Sequence, residues 1–229
     1  MKAISYNLRK HAAVGELSAL IDAHRPELLC LQEVDTVDLP AELGSLHLAD
    51  ATKRNRLGLA VYYDRERFES RATGAFQLRK SLHDKIAAPA HERLLGTHLL
   101  DRESGHELVV ASFHAAPLTA LNSLRRTQIR AAHEALRGFG DGLPSLMVGD
   151  FNYPLFKDFL SAQVRESGYE LSLSDSRTYT RYKFFRGHFD FATSINLLID
   201  SVETLPRGAS DHLPILVTAR YPSAQKAAA

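Results

Sequence analysis

Polar side chains directly follow several apolar segments of the chain, and they are of the types that bind metal ions and transfer protons. The five are Asn7, Glu33, His114, Asp150 and Asn152. In α/β sheets, side chains at strand ends leave the core and gather in a shared crevice. Taken singly, Asp150 or Asn152 could only cap a following helix, and His114 could be a structural histidine. Five such placements together predict one common site.

Short strand-like and helix-like segments that alternate along the chain would position these side chains. Apolar alternation and short apolar runs predict strands at residues 4–8, 27–32, 58–63, 94–100, 107–113, 145–149, 189–193 and 213–221. Helical spacing predicts helices at residues 14–21, 121–136 and 155–166. Residues 101–106 contain a Ser-Gly turn, so the strands on either side form a hairpin. Hairpins mixed with strand–helix units predict an α/β layered fold rather than a purely parallel sheet.

The bulk composition is that of a single globular domain. The chain has 229 residues, 45% apolar and 24% charged, with a net charge of +1, which argues against a protein that coats nucleic acid by bulk electrostatics. We expect one domain over residues 1–222 and a frayed tail at 223–229. The single cysteine, Cys30, lies in an apolar run and is expected in the core. We expect a cytoplasmic protein, because nothing resembles a signal peptide or a membrane span.

The polar residues form an ordered set of motifs. These are Asn7, Gln32-Glu33, Gly149-Asp150-Phe151-Asn152 and Ser210-Asp211-His212. In this order they resemble the signature of the endonuclease/exonuclease/phosphatase superfamily, from residue 4 to about residue 217. The resemblance implies a four-layered α/β/β/α sandwich (α+β type), with two mixed, mainly antiparallel sheets packed face to face and helices outside.

The resemblance also implies a divalent cation, Mg²⁺ or Mn²⁺, at this site. Such hard cations prefer carboxylate, amide and water oxygens. Glu33 is the first expected ligand, with Asn7 and Asp211 beside it. Asp150 is expected to orient or deprotonate the attacking water, and Asn152 to hold the phosphate or that water.

Two histidines are expected to complete the catalytic set. His212 would donate a hydrogen bond or proton to a non-bridging oxygen, with Asp190 fixing its tautomer and keeping it charged. His114 resembles the second histidine of the deoxyribonuclease and sphingomyelinase branches. Glu92 is similar to the glutamate that pairs with that histidine.

A basic and aromatic stretch near residue 180 is the expected substrate-binding surface. Its predicted members, with one residue from the cluster at 53–56, are Arg54, Tyr179, Arg181, Lys183 and Arg186. They could grip phosphates and stack bases. Equally, they could form a solvated loop with some aromatic rings packed on the sheet.

The predicted function is metal-dependent phosphodiester hydrolysis, with a nuclease favoured and nucleic acid as its substrate. Asp35 and Asp38 follow Glu33 and would repel a DNA backbone. The alternative is therefore a phosphatase or phosphodiesterase acting on inositol-phosphate, phospholipid or nucleotide substrates. A non-catalytic binding protein of the same fold is the third interpretation, although every key position is filled. We expect a monomer, with no stable protein partner and no membrane association.

Overall fold

The computed structural model describes residues 1–53, 57–80, 92–153, 157–181 and 187–223. These residues form thirteen strands and three α-helices. The strands are β1 (Lys2–Asn7), β2 (Leu28–Val34), β3 (Glu42–Leu43), β4 (Leu46–Ala51), β5 (Gly58–Asp64), β6 (Phe68–Gln77), β7 (Glu92–Asp101), β8 (Glu107–His114), β9 (Ser145–Asp150), β10 (Glu170–Leu173), β11 (Asp190–Ile195), β12 (Leu198–Thr204) and β13 (Ile215–Arg220). The helices are α1 (Leu17–His24), α2 (Asn122–Phe139) and α3 (Lys157–Glu166).

The strands form two mixed sheets, each with one parallel pair. The first sheet has the order β12-β13-β1-β2-β5-β4-β3, and the second has the order β10-β11-β9-β8-β7-β6. In the first, only β1 and β2 are parallel, and in the second only β8 and β9 are parallel. A helix joins the strands of each parallel pair, α1 in the first sheet and α2 in the second. Each sheet therefore contains one β–α–β unit.

Three apolar clusters confirm the four-layered arrangement. One lies between the sheets and includes Cys30, Val110 and Val148. The second packs α2 and α3 on the outer face of the second sheet, and the third packs α1 on the outer face of the first. A strand in the middle, such as β2, is therefore buried on both faces, which explains the apolar run at its start. Cys30 is fully buried as expected, and burial raises the pKa of its thiol to about 12.

The predicted strands and helices all have counterparts among the described residues. The predicted helix at 155–166 is described from Lys157 onward, because residues 154–156 lie outside the described ranges. The sequence did not reveal β3, β4, β6, β10 and β12, which lie at or next to sheet edges. Their side chains are partly exposed, so they lack the apolar alternation of a half-buried strand. None of the described helices is long and apolar enough to cross a membrane.

Candidate active site

The carboxyl ends of the two parallel strand pairs meet at one edge of the sandwich. Asn7 ends β1, and Gln32 and Glu33 lie near the end of β2. His114 ends β8, and Asp150 ends β9. The sheets are packed face to face, with β1 against β9 and β2 against β8, so the four strand ends converge. This arrangement brings together side chains separated by up to 143 residues in the sequence.

Strand register aligns three of the predicted catalytic residues in one row across the second sheet. His114 is the partner of Asp150 in the parallel pair, and Asp150 is the partner of Asp190 in the antiparallel pair. Gly149 allows this close packing, because a Cβ there would lie 1.9 Å from the carbonyl oxygen of Phe113. Its φ of +153° is also one that residues with a side chain rarely adopt. The glycine of the Gly-Asp-Phe-Asn motif is therefore required by the sheet itself.

Glu33 leaves the sheet at a β-bulge. Gln32 pairs with Leu59 and Val34 pairs with Gly58, so Glu33 has no partner on β5. Its φ is +52°, and a bulge of this kind redirects a side chain at a strand end. Its carboxylate accepts a hydrogen bond from Lys10 N at 2.9 Å. The other carboxylate oxygen lies 3.9 Å from His114 Nε2, so Glu33 faces the same crevice.

The carboxylate of Asp150 is the centre of the site. Asn7 Nδ2 and Asn152 Nδ2 donate to Asp150 Oδ2 at 3.0 and 3.1 Å, and Asn152 N donates to Oδ1 at 2.9 Å. The Nε2 atoms of His114 and His212 both lie 3.6 Å from the same Oδ2. Asp150 is buried, and burial raises the pKa of its carboxyl well above its ordinary value, although His212 opposes this. One carboxylate oxygen thus faces both amides and both imidazoles.

Asp190 holds His212 in place. His212 Nδ1 lies 2.8 Å from Asp190 Oδ2, and both residues are buried. Burial disfavours the imidazolium, but the nearby charges of Asp190 and Asp150 raise the pKa of His212 above its ordinary value. A charged His212 donates from Nδ1 to Asp190 and presents Nε2 to the crevice. This is the geometry that the sequence motifs predicted for these two residues.

Hydrogen bonds from neighbouring loops fix the segment that carries His212. Ser210 Oγ donates to Asn7 O at 2.6 Å and accepts from His212 N at 3.1 Å. Thr178 Oγ1 accepts from Phe189 N and Asp190 N, both at 3.0 Å, and Thr178 O accepts from Leu213 N. The Ser-Asp-His segment is thereby joined to β1 on one side and to the start of β11 on the other.

Two arginines approach the carboxylate of Asp211. Arg9 Nε and Arg181 Nη1 lie 3.8 and 3.9 Å from Asp211 Oδ2, and both guanidinium groups are about half exposed. Arg181 was predicted as a substrate-binding residue, whereas the sequence did not single out Arg9. The sequence signal that could have identified Arg9 is its position two residues after Asn7, at the end of a predicted strand. The two arginines place positive charge beside the acidic crevice.

Several groups could hold a divalent cation. Asp150, Asp190 and His212 each offer one ligand atom, and these atoms lie within 4.8 Å of one another. A charged His212 has no lone pair free for a metal, however, because both ring nitrogens then carry protons. The predicted ligands Glu33, Asn7 and Asp211 supply oxygen atoms, which hard divalent cations prefer. The donor set at this edge therefore fits a hard divalent cation.

Glu92 lies at the first position of a strand of the second sheet. It begins β7 as the partner of Gln77. Its neighbour Arg93 is buried and donates from Nη1 to the carbonyl oxygens of His114 and Ala115, at 3.0 and 2.8 Å. Side chains alternate along a strand, so only one of the two adjacent residues can face this interior. The predicted catalytic role of Glu92 stays a prediction.

The predicted substrate-binding residues are only partly described. Arg54, Lys183 and Arg186 lie outside the described residues. The ring of Tyr179 is 8% exposed and packs against Phe189 and, edge-on, against His212, with centroid distances of 4.6 and 4.9 Å. This placement favours the packing alternative for Tyr179 over base stacking.

The buried amide of Gln32 links the two sheets behind the site. Its Nε2 donates to Ser112 Oγ at 2.9 Å, and Ser112 Oγ donates to Leu31 O at 2.9 Å. Gln32 precedes Glu33, and Ser112 lies two residues before His114. The Gln-Glu motif included Gln32 in the sequence analysis, but only the packing of the two sheets shows that its partner is Ser112.

Comparison with known proteins agrees with this geometry. Residues 4–212 match the family described as the Endonuclease/Exonuclease/phosphatase family. Protein angel of Drosophila melanogaster is 27% identical over 164 residues, which make up 65% of this chain and 44% of that protein. The chain thus spans less than half the length of this curated relative.

Solved structures share the fold over almost the whole chain. Mannosyl-6-phosphatase Bt3783 of Bacteroides thetaiotaomicron VPI-5482 has a TM-score of 0.76 at 18% identity, covering 96% of this chain and 100% of that chain. D. rerio TDP2, complexed with a single-strand DNA product, has a TM-score of 0.73 at 14% identity, covering 96% and 98%. The fold and the match over residues 4–212 lead to one conclusion: the chain belongs to the Endonuclease/Exonuclease/phosphatase family.

Proposed function

We propose that the protein is a divalent-metal-dependent hydrolase of phosphodiester bonds, with nucleic acid as its preferred class of substrate. The observation that carries the proposal is the convergence on Asp150 Oδ2 of two amides and two imidazoles. This site offers a base, a charged hydrogen-bond donor in His212 and oxygen ligands for a cation within one crevice. Those are the groups that in-line attack of water on phosphorus requires.

Each residue has a separate task in this mechanism. Asp150 orients the attacking water and accepts its proton, which a buried carboxylate with a raised pKa does more readily. The amide of Asn152 holds the phosphate or that water. His212, charged and oriented by Asp190, donates from Nε2 to a non-bridging oxygen, where negative charge develops. His114 is the second imidazole and faces the leaving group.

Glu33, Asn7 and Asp211 would hold the cation. When bound, the ion acts as a Lewis acid on the phosphoryl oxygen and stabilises the leaving group. The bulge in β2 and the hydrogen bond from Lys10 N direct the Glu33 carboxylate into the crevice, where it would serve as a ligand.

The catalytic assignment is tested with Asp150→Asn. Hydrolysis of bis-p-nitrophenyl phosphate in Mg²⁺ or Mn²⁺ should fall by roughly 10²- to 10⁴-fold, because the amide cannot accept the proton. Asp141→Asn, at an exposed carboxylate, is the matched control. Unaltered circular dichroism shows that the variant is folded, and near-normal turnover in folded Asp150→Asn would refute the assignment.

The nucleic-acid preference rests on the basic side chains at the rim, Arg9, Lys10 and Arg181, and on the single-strand DNA product bound by the similar TDP2 structure. Phosphomonoester hydrolysis is the second candidate, favoured by the likeness to a mannosyl-6-phosphatase and by the acidic Asp35 and Asp38. A panel of single-stranded DNA, RNA, inositol phosphates, phospholipid and a sugar phosphate separates the two. Higher kcat/KM on nucleic acid supports the first, and the reverse ranking supports the second.

A further inference from the structure

Lys157 is a partly buried cation that the proposed mechanism does not use. It lies in the first turn of α3, and its Nζ donates to His188 O at 2.6 Å. The ammonium lies 4.1 Å from the ring centroid of Phe191 and 5.9 Å from that of Tyr153. It forms no ion pair with any residue in the described part of the chain. Burial lowers the pKa of its ammonium to about 7.

This placement is unfavourable for a lysine if only stability is considered. A positive charge near the amino end of a helix opposes the helix dipole. An ammonium partly removed from water without a carboxylate partner also loses solvation energy. One hydrogen bond and the attraction of two aromatic faces offset part of this loss. An apolar side chain of similar length would pack on Phe191 without this loss of solvation energy. The presence of a charge at this position therefore requires an explanation.

The explanation lies on the opposite face of β11. Successive side chains of a strand point to opposite faces. Phe191 packs in the cluster beneath α2 and α3, whereas the preceding Asp190 holds His212. Attraction by Asp190 and then Asp150 favours the charged form of Lys157 against the effect of burial. Ionised Asp150 and Asp190 carry two negative charges, of which His212 offsets one, and Lys157 supplies a second positive charge from behind the sheet.

Lys157 also holds the backbone that leads to Asp190. Its acceptor, His188 O, lies two residues before Asp190. The next two N–H groups, of Phe189 and Asp190, donate to Thr178 Oγ1. Residues 188–190 are therefore fixed by Thr178 and by Lys157 at successive backbone groups.

We propose that Lys157 is a positioning residue for the active site, which fixes Asp190, and through it His212, by its hydrogen bond to His188 O and its charge. The kinetic part of this inference rests on the proposed function, whereas the effect on His212 does not. The test therefore combines two measurements, the proton resonance of His212 and the turnover number kcat. The low-field proton resonance of His212 Nδ1–H reports the Asp190–His212 hydrogen bond directly, with no substrate or metal present.

The variants are Lys157→Met, which removes charge and donor, and Lys157→Gln, which keeps a donor. Arg165→Met removes an exposed charge from the same helix and is the matched control. We expect Lys157→Met to shift or broaden the His212 resonance and Arg165→Met to leave it unchanged. We also expect kcat for bis-p-nitrophenyl phosphate to fall by roughly 10- to 100-fold, as is usual for outer partners of a site, with KM changed much less.

The outcomes separate the possibilities. A shift in both Lys157 variants assigns the effect to charge, and a shift in Lys157→Met alone assigns it to the hydrogen bond; either supports the proposal. An unchanged resonance and kcat in folded Lys157→Met would overturn it.

If Lys157→Met does not fold, Lys157→Gln and Lys157→Arg, which keeps both charge and donor, are compared in the same way. Absence of hydrolysis by the unaltered protein would count against the proposed function, while the resonance still decides the role of Lys157.

Discussion

Acid should destabilise the protein through a buried histidine outside the active site, His133. Its ring is fully buried on α2, stacks on Tyr169 with centroids 3.9 Å apart, and places Nε2 3.0 Å from Thr193 Oγ1. Its Nδ1 has no hydrogen-bond partner among the described residues. Burial, and then the nearby charge of Arg137, lower the pKa of His133 from 6.5 to about 3. The folded protein therefore holds this imidazole neutral.

The sign and size of the effect follow from the two pKa values. Above pH 6.5 the ring is neutral in both the folded and the unfolded chain, so it imposes no penalty. As the pH falls below 6.5 only the unfolded chain takes up the proton, and stability is lost progressively until about pH 3. At pH 5 the loss is about 2 kcal/mol, and it approaches about 5 kcal/mol below the folded pKa.

The perturbation is His133→Gln, whose amide reaches toward Thr193 and does not titrate in this range. The chain has no tryptophan, so urea unfolding is followed by far-ultraviolet circular dichroism at pH 7.5 and pH 5. The free energy of unfolding should fall between the two pH values by about 2 kcal/mol more in the unaltered protein than in the variant. His106→Gln, at an exposed position, is the control for replacing a histidine. Parallel pH profiles for the unaltered protein and His133→Gln would refute the reasoning.

Three further predictions concern the site. Glu33→Ala should weaken Mg²⁺ or Mn²⁺ binding measured by calorimetry, because the first expected oxygen ligand is lost; unchanged affinity removes Glu33 from the ligand set. Asp190→Asn should lower the pKa of His212 in an NMR titration, since the largest charge favouring its imidazolium is removed while its burial remains; an unaltered titration contradicts their pairing. Gln32→Leu should lower the free energy of unfolding by about 1–3 kcal/mol in urea, because the buried hydroxyl of Ser5 loses its partner; an unaltered midpoint shows that the buried network contributes no net stability.

Much of the site could be predicted from local sequence. Asn7, Glu33, His114 and Asp150 were recognisable because each directly follows an apolar segment, and a strand end determines where its next side chain emerges. The sequence also predicted the strands that are buried on both faces, because their apolar runs are continuous. Edge strands such as β6 were missed because partial exposure removes that pattern.

Only the tertiary structure decided which of these side chains meet, and how. The hydrogen bond from Asn7 to Asp150 joins residues 143 positions apart, and it depends on the packing of the two sheets rather than on any local pattern. The alternation of side chains along β7 put Arg93 against the carbonyl of His114, a contact that no motif specifies. In the same way, the position of Lys157 behind Asp190 depends on the helix that packs on the outer face of β11. Residue types and local pattern thus determined the available chemistry, whereas long-range packing determined its geometry, because distances between distant segments are set by the whole fold.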